Sequence, residues 1–166
     1  MFLLWIRDRV RDSRHRKAPE QMQTEALAYQ ERLLHPDQNG VETEIGGFLP
    51  ERLITLYKDQ ASILCRNLEI RSPRLAPKEF GERIERFLPL DFEGQQHTCD
   101  LAEAGWGKGF CFAADGAGNF YWVPVNATRQ SDAPVFFACH DPWGNEKIAE
   151  SLDEFLSWPR LPHARR

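Results

Sequence analysis

The stretch Gly109-Phe-Cys-Phe-Ala-Ala-Asp115-Gly116-Ala117-Gly118-Asn119-Phe-Tyr-Trp-Val-Pro-Val125 decides the fold. Two runs rich in aromatic and β-branched residues flank a five-residue loop holding two glycines and an Asn, residues that take turn conformations cheaply. This predicts a hairpin over 109–125 with Asp115, Gly116, Gly118 and Asn119 as its turn. Alternation sets Phe110, Phe112 and Ala114 on one face of the first strand and Cys111 and Ala113 on the other. Both faces are apolar, so the hairpin belongs in a sheet covered on at least one side and partly on the other.

Working outward, Pro134-Val-Phe-Phe-Ala-Cys139 reads as a further strand, pairing antiparallel with the second hairpin strand to give a three-stranded meander. His140 to Asn145 is turn chemistry, and Ile148 adds a brief strand. Ser151-Leu-Asp-Glu154 is a capping box, after which Leu152, Phe155 and Leu156 face inward and Pro159 ends the helix. The tail from Arg160 to Arg166 is expected to fray. Upstream, Pro19 opens a helix whose apolar face is Met22, Ala26, Tyr29 and Leu33, and His35-Pro-Asp-Gln-Asn-Gly40 stops it. Val41 to Gly47 is either a helical turn or a short strand. Pro50 opens a helix over about Glu51–Gln60 with the stripe Leu53, Leu56, Tyr57. Ile63–Arg71 reads as a strand around Leu68 and Ile70, and Arg83–Leu88 as a strand bounded by Gly81 and Pro89. Asp91 to Gly107 is polar and irregular, with one helical turn at Cys99–Ala104.

The 166 residues suffice for one self-standing core, and 42% hydrophobic with 28% charged residues places the chain among globular proteins. Its net charge of −4 is uneven: Met1–Lys17 carries six Arg/Lys against two Asp, leaving −8 on the remainder. An acidic body argues against a nucleic-acid binder and suits a basic protein partner. Cys65, Cys99, Cys111 and Cys139 have no short-spaced pair, and the start lacks the charge-then-apolar order of an export signal. The expectation is a cytoplasmic protein with reduced thiols. Phe2, Ile6 and Val10 make residues 1–17 a basic amphipathic helix. It is either a membrane-surface or partner-binding helix, or an appendage, or sequence upstream of a start at Met22.

No catalytic constellation emerges. Gly105-Trp-Gly-Lys-Gly109 lacks P-loop spacing and leads into a strand, and Asp115–Asn119 lacks the oxygen pattern of a calcium loop. His97, Cys99, Cys139 and His140 have the wrong spacing to wrap a structural zinc, and no Gly-x-Ser-x-Gly elbow exists. No metal or cofactor is expected. The loop tryptophans Trp106 and Trp143 serve either a binding surface, where Trp is enriched, or packing; with Lys108 and Asp141 they form the candidate partner-binding set.

The order of Gly47-Phe-Leu-Pro50, Phe112-Ala-Ala-Asp-Gly-Ala-Gly-Asn-Phe-Tyr121, Pro134-Val-Phe-Phe, His140-Asp141 and Ile148-Ala-Glu-Ser-Leu-Asp-Glu-Phe-Leu156 resembles the SUKH superfamily, in its SMI/KNR branch. The resemblance spans roughly residues 41–158, and Ser151, Glu154 and Phe155 belong to its helical motif. It implies an α+β fold with a central, mainly antiparallel sheet, including hairpin 109–125 and strand 134–139, and helices packed around it. It also implies a non-enzymatic protein-binding module. The first expectation is a bacterial immunity protein that binds and neutralises a toxin. The alternatives are a regulatory scaffold with an endogenous partner, as in the fungal branch, or a metal-binding protein. The expected organisation is a basic extension over 1–18, one SUKH-like domain over 19–159 and a basic tail over 160–166. Tyr57-Lys-Asp-Gln-Ala61 departs from the family's usual Asn-Gly-Gly.

Overall fold

The computed structural model describes residues 19–59, 68–70, 84, 86–91, 105–115, 117–140, 143–158 and 160–162. The chain forms two compact units, Met1–Gln30 and Glu31–Arg166. The first is described only over the start of helix α1 (Pro19–Leu34). The second holds α2 (Gln38–Ile45), α3 (Glu51–Asp59), β1 (Leu68–Ile70), β2 (Arg86–Phe87), β3 (Gly109–Ala114), β4 (Phe120–Pro124), β5 (Val135–His140), β6 (Trp143–Ala149), α4 (Leu152–Ser157) and β7 (Arg160–Pro162).

Strands β2 to β6 form one sheet in chain order, every neighbouring pair antiparallel, so the fold is α+β with an antiparallel meander at its centre. The hairpin register pairs Phe110 with Val123 and Cys111 with Trp122, then skips to Ala113 with Tyr121 and Ala114 with Phe120. This bulge corrects the simple alternation: Ala114 joins Cys111 on one face instead of following Phe112. Cys111, Ala114, Trp122, Ala138 and Leu88 pack together there, with half-buried Trp106, Phe120 and Phe136 around them. Trp122 stacks on Phe136 at 4.7 Å, and its Nε1 donates to Asn145 Oδ1 at 3.1 Å.

The other face carries the larger core, in which Phe155 of α4 is the centre of an aromatic group. Its ring meets Phe112 edge-on at 5.7 Å, Tyr121 at 5.7 Å and Trp158 at 5.0 Å. Phe87 joins through Phe112 at 6.3 Å. Tyr57 of α3 is wholly buried; its hydroxyl donates to Leu88 O and lies 3.3 Å from Phe112 O, tying helix to sheet across β2 and β3.

Several expectations change. Asn39-Gly40 is not a turn but the first turn of α2, because the Asp37 side chain caps it, accepting from Gly40 N at 3.0 Å. In α1 the spacing fits the helix but not a buried face: Met22 is 59% exposed and only Leu33 is buried, since periodicity reports which residues share a face and not what lies on it. Trp143 to Asn145 are strand residues, so β6 is longer than the segment around Ile148. Arg160–Pro162 does not fray but pairs antiparallel with Leu68–Ile70. The helical turn expected at 99–104 lies outside the described residues, as do residues 1–18 and 163–166.

Candidate functional site

The site forms where α2 ends. Gly46 terminates the helix in the left-handed region (φ 67°, ψ 48°), a conformation that favours glycine, and Gly46 N and Gly47 N both donate to Glu42 O at 3.0 and 3.2 Å. Gly47 then passes so close to the end of β4 that a Cβ there would stand 2.6 Å from Val125 Cγ1. That approach lets Phe48 pair with Asn126: Phe48 N donates to Asn126 O at 2.8 Å, and Asn126 N to Phe48 O at 3.3 Å. Leu49 and Pro50 turn into the core, which leaves Phe48 outward and 42% exposed.

Arg129 completes the arrangement. Its guanidinium carbon lies 5.1 Å from the centroid of the Phe48 ring, Nη2 donates to Glu42 Oε2 at 2.9 Å and Nη1 to Leu49 O at 3.3 Å. Glu42 also accepts from Leu49 N at 2.9 Å and Gln38 Nε2 at 3.3 Å. Burial acts to raise the Glu42 pKa. The hydrogen bonds from Arg129, Leu49 N and Gln38, with the Arg129 charge, outweigh it and hold the carboxyl below its ordinary value of 4.5.

The loop bearing Arg129 is pinned at its far end as well. Gln130 O and Ser131 O accept from Glu51 N and Arg52 N at 2.9 and 3.0 Å, amides that open α3 and have no partner within that helix. The Asp132 carboxylate accepts from Leu152 N at 2.9 Å and Asp153 N at 3.3 Å, the first amides of α4. A polar loop that looks like a plain connection in the sequence is thus fixed to two helices and to Phe48. One face of α2, the Gly46–Phe48 turn and Ala127 enclose an open groove of about 570 Å³ beside it.

Of the described side chains in the expected partner-binding set, Lys108 comes to this place, exposed and with Nζ 3.6 Å from where a Cβ on Gly46 would stand. Trp106 lies elsewhere, half-buried against the smaller apolar cluster. Trp143 begins β6, paired with His140, and Asp141 is outside the described residues. Asp115 holds its turn together: Oδ1 accepts from Ala117 N at 2.9 Å and Asn119 N at 2.8 Å, Oδ2 accepts from Asn119 Nδ2 at 2.7 Å, and Gly116 is not described. Ser151 Oγ accepts from Glu154 N at 3.0 Å, while the Glu154 carboxylate accepts from Glu150 N at 2.7 Å, one residue earlier than a capping box requires. Among the described residues no three His, Cys, Asp or Glu side chains gather as metal ligands, and His97 and Cys99 lie outside them. No described helix is long and apolar enough to cross a membrane.

Sequence reading missed Glu42, Phe48 and Arg129 as a site. The one signal was an apolar residue at position 48, directly before a buried Leu-Pro pair that opens a helix. Comparison with curated proteins finds no match, and comparison with solved structures finds none. The family model described as SMI1 / KNR4 family (SUKH-1) matches residues 37–158, from the cap of α2 to the end of α4 and well over half of the chain. With the antiparallel meander and its closing helix in place, that match shows that the chain belongs to the SMI1/KNR4 family (SUKH-1).

Proposed function

We propose that the protein is a non-enzymatic binding module that occludes a cognate protein toxin in the cytoplasm by stoichiometric association, the role of an immunity protein. Family membership supports a binding module of the toxin-immunity or regulatory kind. The observation that carries the reading is the exposed Phe48 ring held under Arg129 on a turn pinned from both sides. Aromatic and arginine side chains dominate the binding energy of protein interfaces, and holding them in place beforehand removes part of the ordering cost of association. Inhibition by occlusion needs such a surface and no bond-making chemistry. Lys108 belongs to this surface, and Trp106, Asp141 and Trp143 are proposed as further partner contacts. The acidic body speeds encounter with a basic toxin. The domain organisation proposed with it is a basic extension over 1–18, one binding domain over 19–159 and a tail over 160–166.

The test is growth rescue. Cells expressing a toxin encoded beside this gene grow when the protein is co-expressed, and the two co-purify. Failure to rescue growth from any neighbouring toxin overturns the immunity reading and leaves a regulator with an endogenous partner as its replacement.

A further inference from the structure

We infer that the groove beside Gly46 docks an acidic segment of the partner, one that places a carboxylate next to an apolar side chain; this rests on the protein-binding reading above. The charges that face the groove decide its sign. On α2, Glu42, Thr43 and Gly46 share the groove face, at helical spacing. Glu44 stands roughly 100° round from Thr43 and does not line it. Glu42 is the groove's acid, but its side chain is only 10% exposed and is committed to Leu49 N, Gln38 and Arg129. Arg129 lies outside it at 30% exposure, so solvent meets the guanidinium rather than the carboxylate. Lys108 is exposed at the other end, beside Gly46. The carboxyl end of α2 offsets Lys108 by about half a charge, which leaves the mouth of the groove cationic.

This polarity opposes that of the chain at large, which carries −8 outside its first seventeen residues. Distant acids act on an occupant only through a screening length of about 8 Å at physiological salt, whereas the two cations stand at the groove's edge, Lys108 beside Gly46 and Arg129 against Glu42 and Phe48. The Phe48 ring and the Ala127 methyl supply the apolar contact. An acidic-apolar pair meets both chemistries at once, and a basic segment meets the wrong charge.

The test is an NMR titration of the full isotope-labelled chain with two capped peptides, Asp-Leu-Asp-Leu and Lys-Leu-Lys-Leu. The acidic peptide is expected to shift the amides of Thr43, Gly46, Gly47 and Ala127 saturably, and the basic peptide is not. Lys108→Glu should weaken the acidic peptide about tenfold by setting like charges opposite each other, while Lys147→Gln, on β6, leaves it unchanged. Salt at about 0.5 M should weaken it as well. Shifts in the groove from the basic peptide, no groove shifts from the acidic one, or an indifferent Lys108→Glu would each overturn the inference. Growth rescue with no acidic-peptide binding removes this inference alone. Acidic-peptide binding without rescue removes the toxin reading alone.

Discussion

Arg129 and Glu42, 87 positions apart, are joined by a hydrogen bond of 2.9 Å, and the same guanidinium lies 5.1 Å from the centroid of the Phe48 ring. One side chain therefore fixes both the end of α2 and the outward pose of an aromatic residue. The carboxylate behind it also satisfies the amide of Leu49, a residue with no exposed surface.

Truncating Glu42 leaves that buried amide without its acceptor and Arg129 without its counter-charge. Glu42→Ala should cost about 1–3 kcal/mol in urea unfolding. Arg129→Lys keeps the charge but loses the fork that reaches Glu42 and Leu49 O together, so it should recover only part of the loss suffered by Arg129→Ala.

Acid should release the turn. Glu42 titrates below its ordinary value of 4.5 in the folded protein, so the unfolded chain binds the proton first. The stability contributed by Glu42 is complete above about pH 4.5 and is lost as pH falls through the folded value. Unfolding free energies measured from pH 6 down to 3 should decline less in Glu42→Gln than in the natural sequence. Equal slopes would contradict the arrangement.

Phe155 touches the rings of Phe112, Tyr121 and Trp158 and is 1% exposed. Phe155→Ala opens a cavity that these three aromatic neighbours cannot all collapse into, and should cost about 3–5 kcal/mol. Leu152, buried at the start of the same helix, bounds the effect: Leu152→Ala should cost about 2–5 kcal/mol and leave the aromatic near-ultraviolet dichroism closer to native.

Asp132 fastens the loop of Arg129 to α4 by accepting from its first two amides. Asp132→Ala should cost about 1–2 kcal/mol in unfolding. Hydrogen exchange should rise at the amides of residues 130–133 and 152–154 while the Tyr57 amide stays protected. Uniform acceleration through the sheet would instead mean that the cap supports the whole core.

The sheet was legible in the sequence because its information is local. The Asp115–Asn119 turn flanked by aromatic runs specifies the hairpin, and Ser151 marks the start of α4 by its own chemistry. The bulge between Cys111 and Ala113 was not legible, since nothing in Cys-Phe-Ala marks the residue that loses its partner opposite Trp122 and Tyr121. Asp37 and Asn39-Gly40 carried competing signals for a cap and a turn, and the cap prevailed. The site was least legible. Glu42, Phe48 and Arg129 come from a helix, a turn and a polar loop, and contacts far apart in sequence, the Phe48–Asn126 bridge and the Arg129 hydrogen bonds to Glu42 and Leu49 O, bring them together. Lys108 was singled out from its neighbourhood to Trp106, yet the fold places the two in different surroundings.

The central claim is that Phe48 anchors a protein partner. The most direct measurement is calorimetric titration of the toxin encoded beside this gene with the natural protein and with Phe48→Ala, whose exposed ring can be removed without opening the core. Phe48→Ala should weaken binding by about 2 kcal/mol or more, roughly thirtyfold, at unchanged thermal stability. A natural protein that binds the toxin tightly, with Phe48→Ala binding it within twofold, would contradict the claim.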